Sequence, residues 1–512
     1  MNLLAARARV SQVVTAGKSG AAGRPEGSWA WLAAALSLVL AMTARESRYL
    51  SNDTFYDLYA GRYIFGHGLP RVNVLTATSH GAPWVDQQWL AHVLFYGAWA
   101  AGGYPAAAAL STALVTAGFA VLGALMLRLG VPPVRMFAWT IVAFLAAIGD
   151  TGPRAESFAC LFFALTMWLV VADSRAARMR WRTWLVVVVL VIWANIHGSV
   201  LLGAGLVGLY AGYRAVRALA RSDRGMAAAY LLLAGAASVS VLCTPYGLGV
   251  VRYYRETIDN PVLKHNVTEW MPPSLGNPSS WVFFGLVVVT SILIGVAWRR
   301  GTRPDPVLAG MALVLLVLAL TGVRFQAWFA FAGSLAAAEA LARSGRRPVP
   351  ALGRAFRIAV AGGRGVAALA SLMVLAVQPA GRFAAQVPAQ AIDVAARIAA
   401  RHPATRILGD DITSSPMLWL HPATVGRVGY DVRFEQYTGS QLNAYINFVD
   451  VRGAGWLRAA DGYGIIVASP ARHPRLTSAL AALPGWRIIY RDHGGIVAVR
   501  KQADLELEDP GQ

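Results

Sequence analysis

The sequence predicts a polytopic α-helical membrane protein with a small C-terminal α/β domain, and three observations support this fold class. The 512 residues are 56% hydrophobic and only 14% charged, with a mean hydropathy of +0.48. A water-soluble protein could not keep such a large apolar fraction away from water. Long apolar segments fill the chain up to residue 378, and short β-rich and helical runs alternate after residue 388.

The apolar segments predict a transmembrane region over residues 29–378. About eleven of them are long enough to cross roughly 30 Å of hydrocarbon. The stretch 88–103 is expected to lie along the outer membrane surface as an interfacial helix, because its tryptophan and tyrosine side chains suit that boundary. The predicted spans are 29–45, 105–127, 136–149, 155–173, 184–197, 199–214, 225–243, 280–298, 306–322, 325–342 and 357–377.

The arginines predict how the chain lies in the plasma membrane. With the N-terminus in the cytoplasm, the Arg-rich loops between the spans all fall on the cytoplasmic side, as the positive-inside rule requires. The basic segment 1–28 is then cytoplasmic, whereas the first outer loop, 46–104, and the C-terminal domain are extracytoplasmic. This orientation explains the net charge of +20 without nucleic-acid binding, because the basic residues form no patch interleaved with aromatic residues. The strong preference for Arg over Lys indicates a GC-rich bacterial genome.

The C-terminal domain is predicted to span residues 388–502. Five β-rich runs, ATRILG, ATVGRVGY, YGIIVAS, WRIIYRD and GGIVAVR, alternate with the helical runs AIDVAARIAAR and HPRLTSALAAL. This alternation predicts a mostly parallel sheet that ends in a hairpin, with the hairpin turn at Asp492–Gly495. The acidic segment 503–512 is predicted to be a disordered tail.

Two acids in the first outer loop are the leading candidates for chemistry. A helix predicted from Asn52 to Phe65 places Asp53 and Asp57 on one face, because positions four apart are neighbours on a helix. Asp53 is the first candidate for a catalytic residue, since a carboxylate at the membrane surface can act as a general base or as a metal ligand. The alternative is that Asn52 or Asp53 caps the helix. Asp57 is a candidate for substrate binding, or else a solvated acid.

Two further acidic motifs are expected on the outer side. Asp86 lies between Trp84 and Trp89 and is a second catalytic candidate; helix capping is its alternative explanation. Arg154 and Glu156 lie in a turn that joins two spans, where a cation and an acid could bind a phosphate and a hydroxyl. The alternative is that Arg154 and Glu156 simply pair with each other at a helix end.

The remaining candidates for substrate binding also lie where apolar segments meet. Asn195 and His197 interrupt two short apolar runs, which indicates a turn that lines a cavity, although a lone histidine often only packs. Glu269 and Trp270 could bind a sugar, because the carboxylate accepts hydrogen bonds from hydroxyls while the ring stacks. Arg324 has no acid close in sequence, so it needs an anion such as a lipid phosphate.

This combination of features resembles the GT-C superfamily of membrane glycosyltransferases, which take sugars from polyprenyl-phosphate carriers. Protein O-mannosyltransferases and the aminoarabinose transferases of lipid A are similar in outline. The resemblance covers about residues 29–345. It rests on Asp53 with Phe55-Tyr56, Gly61-Arg62, Gly68-Leu69-Pro70, Gly81-Ala82-Pro83-Trp84, Arg154 with Glu156, Trp193 to Gly198, Glu269-Trp270 and Arg324.

The resemblance implies a polyprenyl-phosphate sugar donor, contact with membrane lipids, and an acceptor that is a glycan, a lipid or a protein. It implies that Asp53 deprotonates the acceptor hydroxyl, which attacks the anomeric carbon with inversion. Arg324, with Arg154 or His197, would then stabilise the departing polyprenyl phosphate. A divalent cation, Mg²⁺ or Mn²⁺, is left open, because the second outer loop has Arg154 and Glu156 but no Asp-x-Asp or Glu-x-Asp pair.

Two other functions stay open at this point. A transporter or flippase of a polar or lipid-linked substrate would need charged or unwound positions in mid-span, whereas the polar motifs here cluster at the outer ends of the spans. A non-catalytic cell-envelope assembly protein could have the same shape, because fold does not fix function. Loss of activity on changing Asp53 would separate an enzyme from such a protein.

Overall fold

The computed structural model describes residues 27–47, 50–344 and 353–501. The predicted basic segment, apart from Gly27 and Ser28, and the predicted acidic tail lie outside these ranges. Within them the chain forms a bundle of helices up to Ala376, followed by further helices and a four-stranded sheet.

The bundle and its outer loop contain fourteen helices. They are α1 (Ser28–Glu46), α2 (Asn52–His67), α3 (Trp89–Arg128), α4 (Pro133–Ala147), α5 (Glu156–Ser174), α6 (Leu185–Ala194), α7 (Val200–Leu219), α8 (Arg224–Ser240), α9 (Gly249–Ile258), α10 (Pro261–Asn266), α11 (Trp281–Arg299), α12 (Pro306–Thr321), α13 (Gln326–Arg343) and α14 (Arg354–Ala376). A helix thus occupies each predicted apolar span.

Length and composition decide which of these helices could cross a membrane. Six of the described helices qualify, namely α1, α3, α4 with the short turn that follows it, α5, α11 and α14, while α6 and α12 are apolar but shorter. The chain is therefore a mostly helical, multi-pass membrane protein. The count of about eleven spans stays a prediction.

Helix α3 consists of two helical parts joined at a kink. Gly102 and Gly103 have non-helical backbone angles, and Gly103 has a φ of 67°, a left-handed conformation that favours glycine. Pro105 stands at the start of the second part, where its missing N–H is tolerated. The first part corresponds to the stretch expected at the membrane interface, and the second to the span predicted at 105–127.

The predicted helix in the first outer loop is confirmed as α2. Its N-terminal cap is Ser51, whose hydroxyl oxygen accepts the backbone N–H of Thr54 at 3.2 Å. The alternative that Asn52 or Asp53 caps the helix is therefore wrong, and the Asp53 carboxylate is available for other contacts. The helix packs between α3 and the C-terminal part of the chain.

The C-terminal part contains five helices and four strands. They are α15 (Ala380–Phe383), α16 (Ala389–Arg401), α17 (Ser414–Leu420), α18 (Gly439–Asp450), α19 (Pro474–Ala482), β1 (Ile407–Gly409), β2 (Ile465–Ala468), β3 (Trp486–Arg491) and β4 (Ile496–Arg500). Helices α16 and α19 match the two predicted helical runs. The apolar sides of the sheet are covered by these helices and by α2.

The sheet differs from its prediction. The strand order is β1-β2-β4-β3, and β1 with β2 is the parallel pair, whereas β4 runs antiparallel to both β2 and β3. The prediction of a mostly parallel sheet is wrong because the β3–β4 hairpin joins the sheet through its second strand. The hairpin turn is confirmed, since the Asp492 amide donates to the Gly495 carbonyl at 3.0 Å. The run ATVGRVGY, although fully described, contributes a single bridge between Val428 and Ile407 instead of a strand.

A buried polar network joins the C-terminal part to the outer loop. Arg433 Nη2 lies 2.6 Å from Asp431 Oδ2, and both side chains are fully buried. The Tyr59 hydroxyl of α2 donates to the same carboxylate at 2.8 Å, and Arg433 donates to Asn73 Oδ1 at 3.0 Å. A buried ion pair is tolerated when hydrogen bonds satisfy its remaining donors and acceptors, so this network fixes the C-terminal part against α2.

Candidate active site

A cavity of about 610 Å³ lies between the outer loop, the helical bundle and the C-terminal part. Most of the predicted site residues line it: Asp53, Asp57, Arg154, Glu156, His197, Glu269, Trp270 and Arg324. Asp86 and Asn195 are not among the lining residues. The C-terminal part adds charged or ionisable side chains that were not predicted as site residues: Asp411, Arg433, Glu435, Asp450, Arg472 and His473.

Arg154 is the centre of an ion cluster in this cavity. One guanidinium nitrogen, Nη1, lies 3.0 Å from Asp53 Oδ2 and 3.1 Å from Glu269 Oε1. The other, Nη2, lies 2.5 Å from Glu156 Oε2 and 3.8 Å from Asp150 Oδ1. Burial alone would lower the pKa of Arg154, but the carboxylates hold that pKa well above its usual value, and the Arg154 charge lowers the pKa of Glu269. Asp53, Glu156 and Glu269 are thus brought together by one cation.

Helix α2 positions the turn that carries this arginine. The backbone N–H of Ala155 donates to Asp57 Oδ2 at 3.1 Å, and the Thr54 hydroxyl donates to the Pro153 carbonyl at 2.6 Å. Both contacts tie the turn 151–155 to the first two turns of the helix. The predicted spacing on one helix face therefore matters, because the same face supplies both an acid of the ion cluster and an anchor for its arginine.

Asp57, His92 and Asp86 form a buried chain of side chains next to the ion cluster. His92 Nε2 lies 3.2 Å from Asp57 Oδ1, and His92 Nδ1 lies 3.0 Å from Asp86 Oδ2. Burial raises the pKa of Asp57 to about 6, although the hydrogen bond and the charge of His92 act in the opposite direction. Asp86 also accepts the backbone N–H of Gln88 at 3.3 Å, a contact at the start of α3 of the kind that the capping alternative predicted.

Arg324 differs from Arg154 in having no acidic partner. Its guanidinium carbon lies 4.1 Å from the centre of the Trp270 ring. Across the described ranges, Arg324 makes no salt bridge and no hydrogen bond. The backbone N–H of Val323 donates to the Met271 carbonyl at 3.0 Å and holds the two loops together. A ring contact attracts a cation but leaves the guanidinium donors free, so this corner of the cavity suits an anion.

His197 and Asn195 occupy the turn between α6 and α7. His197 is buried in the cavity wall, and its Nδ1 lies 2.7 Å from Ser199 Oγ. Asn195 Oδ1 accepts the Trp89 indole N–H at 3.0 Å, and Asn195 donates to the Cys243 carbonyl at 2.9 Å. The structure thus puts His197 at the cavity, whereas the contacts of Asn195 join neighbouring segments outside it.

One group of side chains could hold a divalent cation. Asp410, Asp411 and His473 each place a ligand atom within 4.8 Å of the others. Carboxylate and imidazole ligands suit several divalent metals, and burial raises the pKa of Asp410 to about 6. Arg472 Nη2 lies 3.1 Å from Asp411 Oδ2 and competes with a cation for that oxygen. Asp53, the acid that the sequence suggested as a ligand, is not part of this group.

Sequence reasoning missed His92 and Glu435. His92 is a lone histidine in an apolar stretch, and its signal in the sequence is weak: an acid, Asp86, six positions earlier. Nothing local indicates that Glu435 faces the helical bundle. The Asp410-Asp411 pair carried a clearer signal, because it follows a predicted strand and ligands often bind at the carboxyl ends of strands.

Comparisons with known proteins bear on the fold. No protein-family model matches the chain, and no curated protein matches it. ArnT from Cupriavidus metallidurans bound to undecaprenyl phosphate is 14% identical, with 94% of this chain and 98% of that chain covered and a TM-score of 0.50. The archaeal oligosaccharyltransferase AglB from Archaeoglobus fulgidus, in complex with an inhibitory peptide and a dolichol-phosphate, is 12% identical, with 93% and 75% covered and a TM-score of 0.51.

The same oligosaccharyltransferase in complex with Zn and sulfate is 12% identical, with 92% of this chain and 74% of that chain covered and a TM-score of 0.50. At such low identity these similarities concern the fold, and they extend over most of the chain. The resemblance that the motifs indicated is confirmed at that level. This chain is a multi-pass membrane protein with the fold of the GT-C glycosyltransferases.

Proposed function

We propose that the protein transfers a sugar from a polyprenyl-phosphate donor to an acceptor hydroxyl at the outer face of the plasma membrane. The observation that carries the proposal is Arg324, an unpaired cation beside Trp270 in a cavity that also holds Asp53. A free guanidinium binds phosphate well, because its N–H donors match the phosphate oxygens in pairs. The structures with undecaprenyl phosphate and dolichol-phosphate bound to proteins of the same fold support this type of donor.

The sugar would lie between the phosphate site and the ion cluster. Trp270 offers an aromatic face for stacking, and Glu269 and Glu156 offer carboxylates that accept hydrogen bonds from sugar hydroxyls. His197 supplies a further polar group in the same wall. Asp57 and the predicted residue Asn195 act differently in this proposal, since their contacts position neighbouring backbone.

Asp53 acts as the general base. Arg154 holds its Oδ2, whereas its Oδ1 has no hydrogen bond within the described part of the chain, and the side chain is 39% exposed. The acceptor oxygen bonds to the anomeric carbon opposite the phosphate, and its proton passes to Asp53. The bond from that carbon to the phosphate oxygen breaks, its electron pair stays on the polyprenyl phosphate, and the configuration inverts. Arg324, with Arg154 or His197, stabilises the charge on the leaving phosphate.

Asp86 contributes to this reaction through His92, which contacts both Asp86 and Asp57. A divalent cation, Mg²⁺ or Mn²⁺, would be held by the group of Asp410, Asp411 and His473, where it would add positive charge to the C-terminal wall of the cavity. The proposal also includes the orientation expected from the arginines. The N-terminus is cytoplasmic, the C-terminal part is extracytoplasmic, and the acceptor is a glycan, a lipid or a protein.

Transfer of labelled sugar from a panel of polyprenyl-phosphate donors, measured in membranes, tests the proposal. Wild-type protein should convert at least one donor, and Asp53→Asn should lower transfer about 100-fold or more, because a general base contributes that much. Asp461→Asn, an exposed acid outside the cavity, should keep wild-type transfer. Adding a chelator then measures the metal requirement.

Two outcomes of this assay would contradict the proposal. One is that no donor is converted while Asp53→Asn still complements a deletion strain. The other is that Asp53→Asn and Asp461→Asn transfer sugar at the same rate. The first outcome would favour transport or an assembly role, because neither role requires a base at the cavity. The second would remove Asp53 from the chemistry.

A further inference from the structure

The C-terminal part of the chain puts one carboxylate into the cavity without a partner. Glu435 lies in the single turn Phe434–Gln436, which packs beside α9 at the cavity wall. Within the described ranges, its carboxylate makes no salt bridge and no hydrogen bond to another residue. Burial raises the pKa of Glu435 to about 7.

The other acids of the cavity wall all have partners. Asp53, Glu156 and Glu269 pair with Arg154, and Asp57 pairs with His92. The remaining acids are bonded as well: Glu46 to Ser111 and Thr112, Asp411 to Arg472 and His473, and Asp450 to Arg452. Glu435 is therefore the acidic counterpart of Arg324, the cation in the same cavity that lacks a protein partner.

The nearest cation in sequence is already engaged elsewhere. Arg433 is bonded to Asp431 and Asn73, and its guanidinium carbon lies 4.3 Å from the centre of the Trp84 ring. It cannot leave this buried network without exposing the Asp431 charge to an apolar interior, which would cost several kcal/mol. Glu435 thus keeps its unmet capacity to accept hydrogen bonds.

Arg324 and Glu435 both act on one side chain of α9. The Tyr253 hydroxyl, which lies in the cavity wall, is influenced by both charges, and the two have opposite effects on its pKa. The unpaired cation and the unpaired acid are therefore both close enough to Tyr253 to serve one reaction site. An anionic ligand group fits beside Arg324, and a hydrogen-bond donor fits beside Glu435.

We propose that Glu435 binds the acceptor by taking a hydrogen bond from a hydroxyl or ammonium group next to the nucleophilic hydroxyl. This inference rests on the proposed function and adds a substrate class to it: acceptors with a neighbouring donor group, such as a polyol or an amine, and not acidic acceptors. The donor phosphate is bound from the helical bundle by Arg324, whereas the acceptor is selected from the C-terminal part by Glu435. Glu435 takes no part in bond making or breaking.

Membranes that contain wild-type protein, Glu435→Ala or Glu435→Gln test this inference with the endogenous acceptor. The assay follows two fates of the labelled sugar, transfer to acceptor and release as free sugar by hydrolysis. Glu435→Ala should lower transfer about tenfold or more, because a hydrogen bond to a charged group is lost. Hydrolysis and the binding of polyprenyl phosphate to the purified protein should stay within about twofold of wild type.

The glutamine variant identifies the acceptor group. An amide oxygen still accepts a hydrogen bond from a hydroxyl but forms no ion pair, so retained transfer in Glu435→Gln indicates a hydroxyl and lost transfer indicates an ammonium group. Glu256→Ala is the matched control, since Glu256 is an exposed glutamate on α9 outside the cavity wall. A melting temperature close to wild type shows that the variants fold.

Several outcomes would overturn the inference. Unchanged transfer in Glu435→Ala would overturn it alone, and so would a loss of polyprenyl-phosphate binding equal to the loss of transfer. If the wild-type protein converts no donor, both the proposed function and this inference fail. The two failures are therefore distinguished by the wild-type reaction.

Discussion

Arg154 and Arg324 share one cavity but differ in what surrounds them. Arg154 is in contact with Asp53, Glu156 and Glu269, which satisfy its guanidinium within the protein. Arg324 lies over an aromatic ring and, in the described part of the chain, has no carboxylate within salt-bridge distance. The comparison teaches that charge alone does not mark a ligand site. A cation with all its partners organises the protein, and a cation without them is available to a ligand.

The largest effect is expected for Arg154→Gln. This change leaves Asp53, Glu156 and Glu269 in the cavity wall without their cation. Removing one partner of a buried ion pair costs about 3–5 kcal/mol, so the melting temperature of the purified protein should fall and transfer should be lost. A variant with the wild-type melting temperature would show that the ion cluster does not support the structure.

Arg324→Gln should affect activity without affecting stability. Sugar transfer should fall about 100-fold, because the leaving phosphate loses a charged donor in a water-poor site. The melting temperature should not change, since no protein partner is lost. Arg303→Gln, an exposed arginine outside the cavity, is the matched control. A loss of stability as large as that of Arg154→Gln would remove the distinction between the two arginines.

A smaller, pH-dependent effect is expected for His92→Gln. The raised pKa of Asp57, about 6, means that transfer should decline as the pH falls through this value and Asp57 gains a proton. The charge of His92 lowers the pKa of Asp57, so its removal should shift the decline to higher pH. We expect transfer close to wild type at pH 8 and several-fold lower transfer at pH 6, measured as a pH–rate profile.

The control for this profile is His80→Gln, because His80 is exposed and does not line the cavity. The same shift in the pKa of Asp57 affects stability with a defined sign. Its contribution to stability is fully present below the ordinary pKa of 3.8 and is lost as the pH rises through about 6. An identical pH profile in His92→Gln and wild-type protein would contradict the positioning role of His92.

Local sequence patterns were sufficient for several elements and for much of the site. The helix after the first span, the two C-terminal helices and the hairpin turn at Asp492–Gly495 each follow from spacing or turn chemistry within a short segment. Asp53 and Arg154 were predicted separately as polar residues at the outer ends of apolar segments. The structure brings both into one ion cluster.

Contacts between distant segments could not be predicted in this way. The sheet order depends on which hairpin strand meets β2, and no local pattern encodes that choice. His92 and Glu435 are recognisable as site residues after α3 and the C-terminal part have packed against α2 and α9. Asp86 shows the same limit from the other side, because its neighbours in sequence suggest an exposed interface whereas packing buries it against His92.

Binding of a polyprenyl phosphate to purified wild-type, Arg324→Gln and Arg303→Gln protein tests the central claim most directly. The claim is that the unpaired cation beside Trp270 is the site of the donor phosphate. We expect the affinity of Arg324→Gln to fall about tenfold or more, because a charge-assisted contact to phosphate is lost, while Arg303→Gln binds like wild type. Equal affinity in all three proteins would contradict the claim.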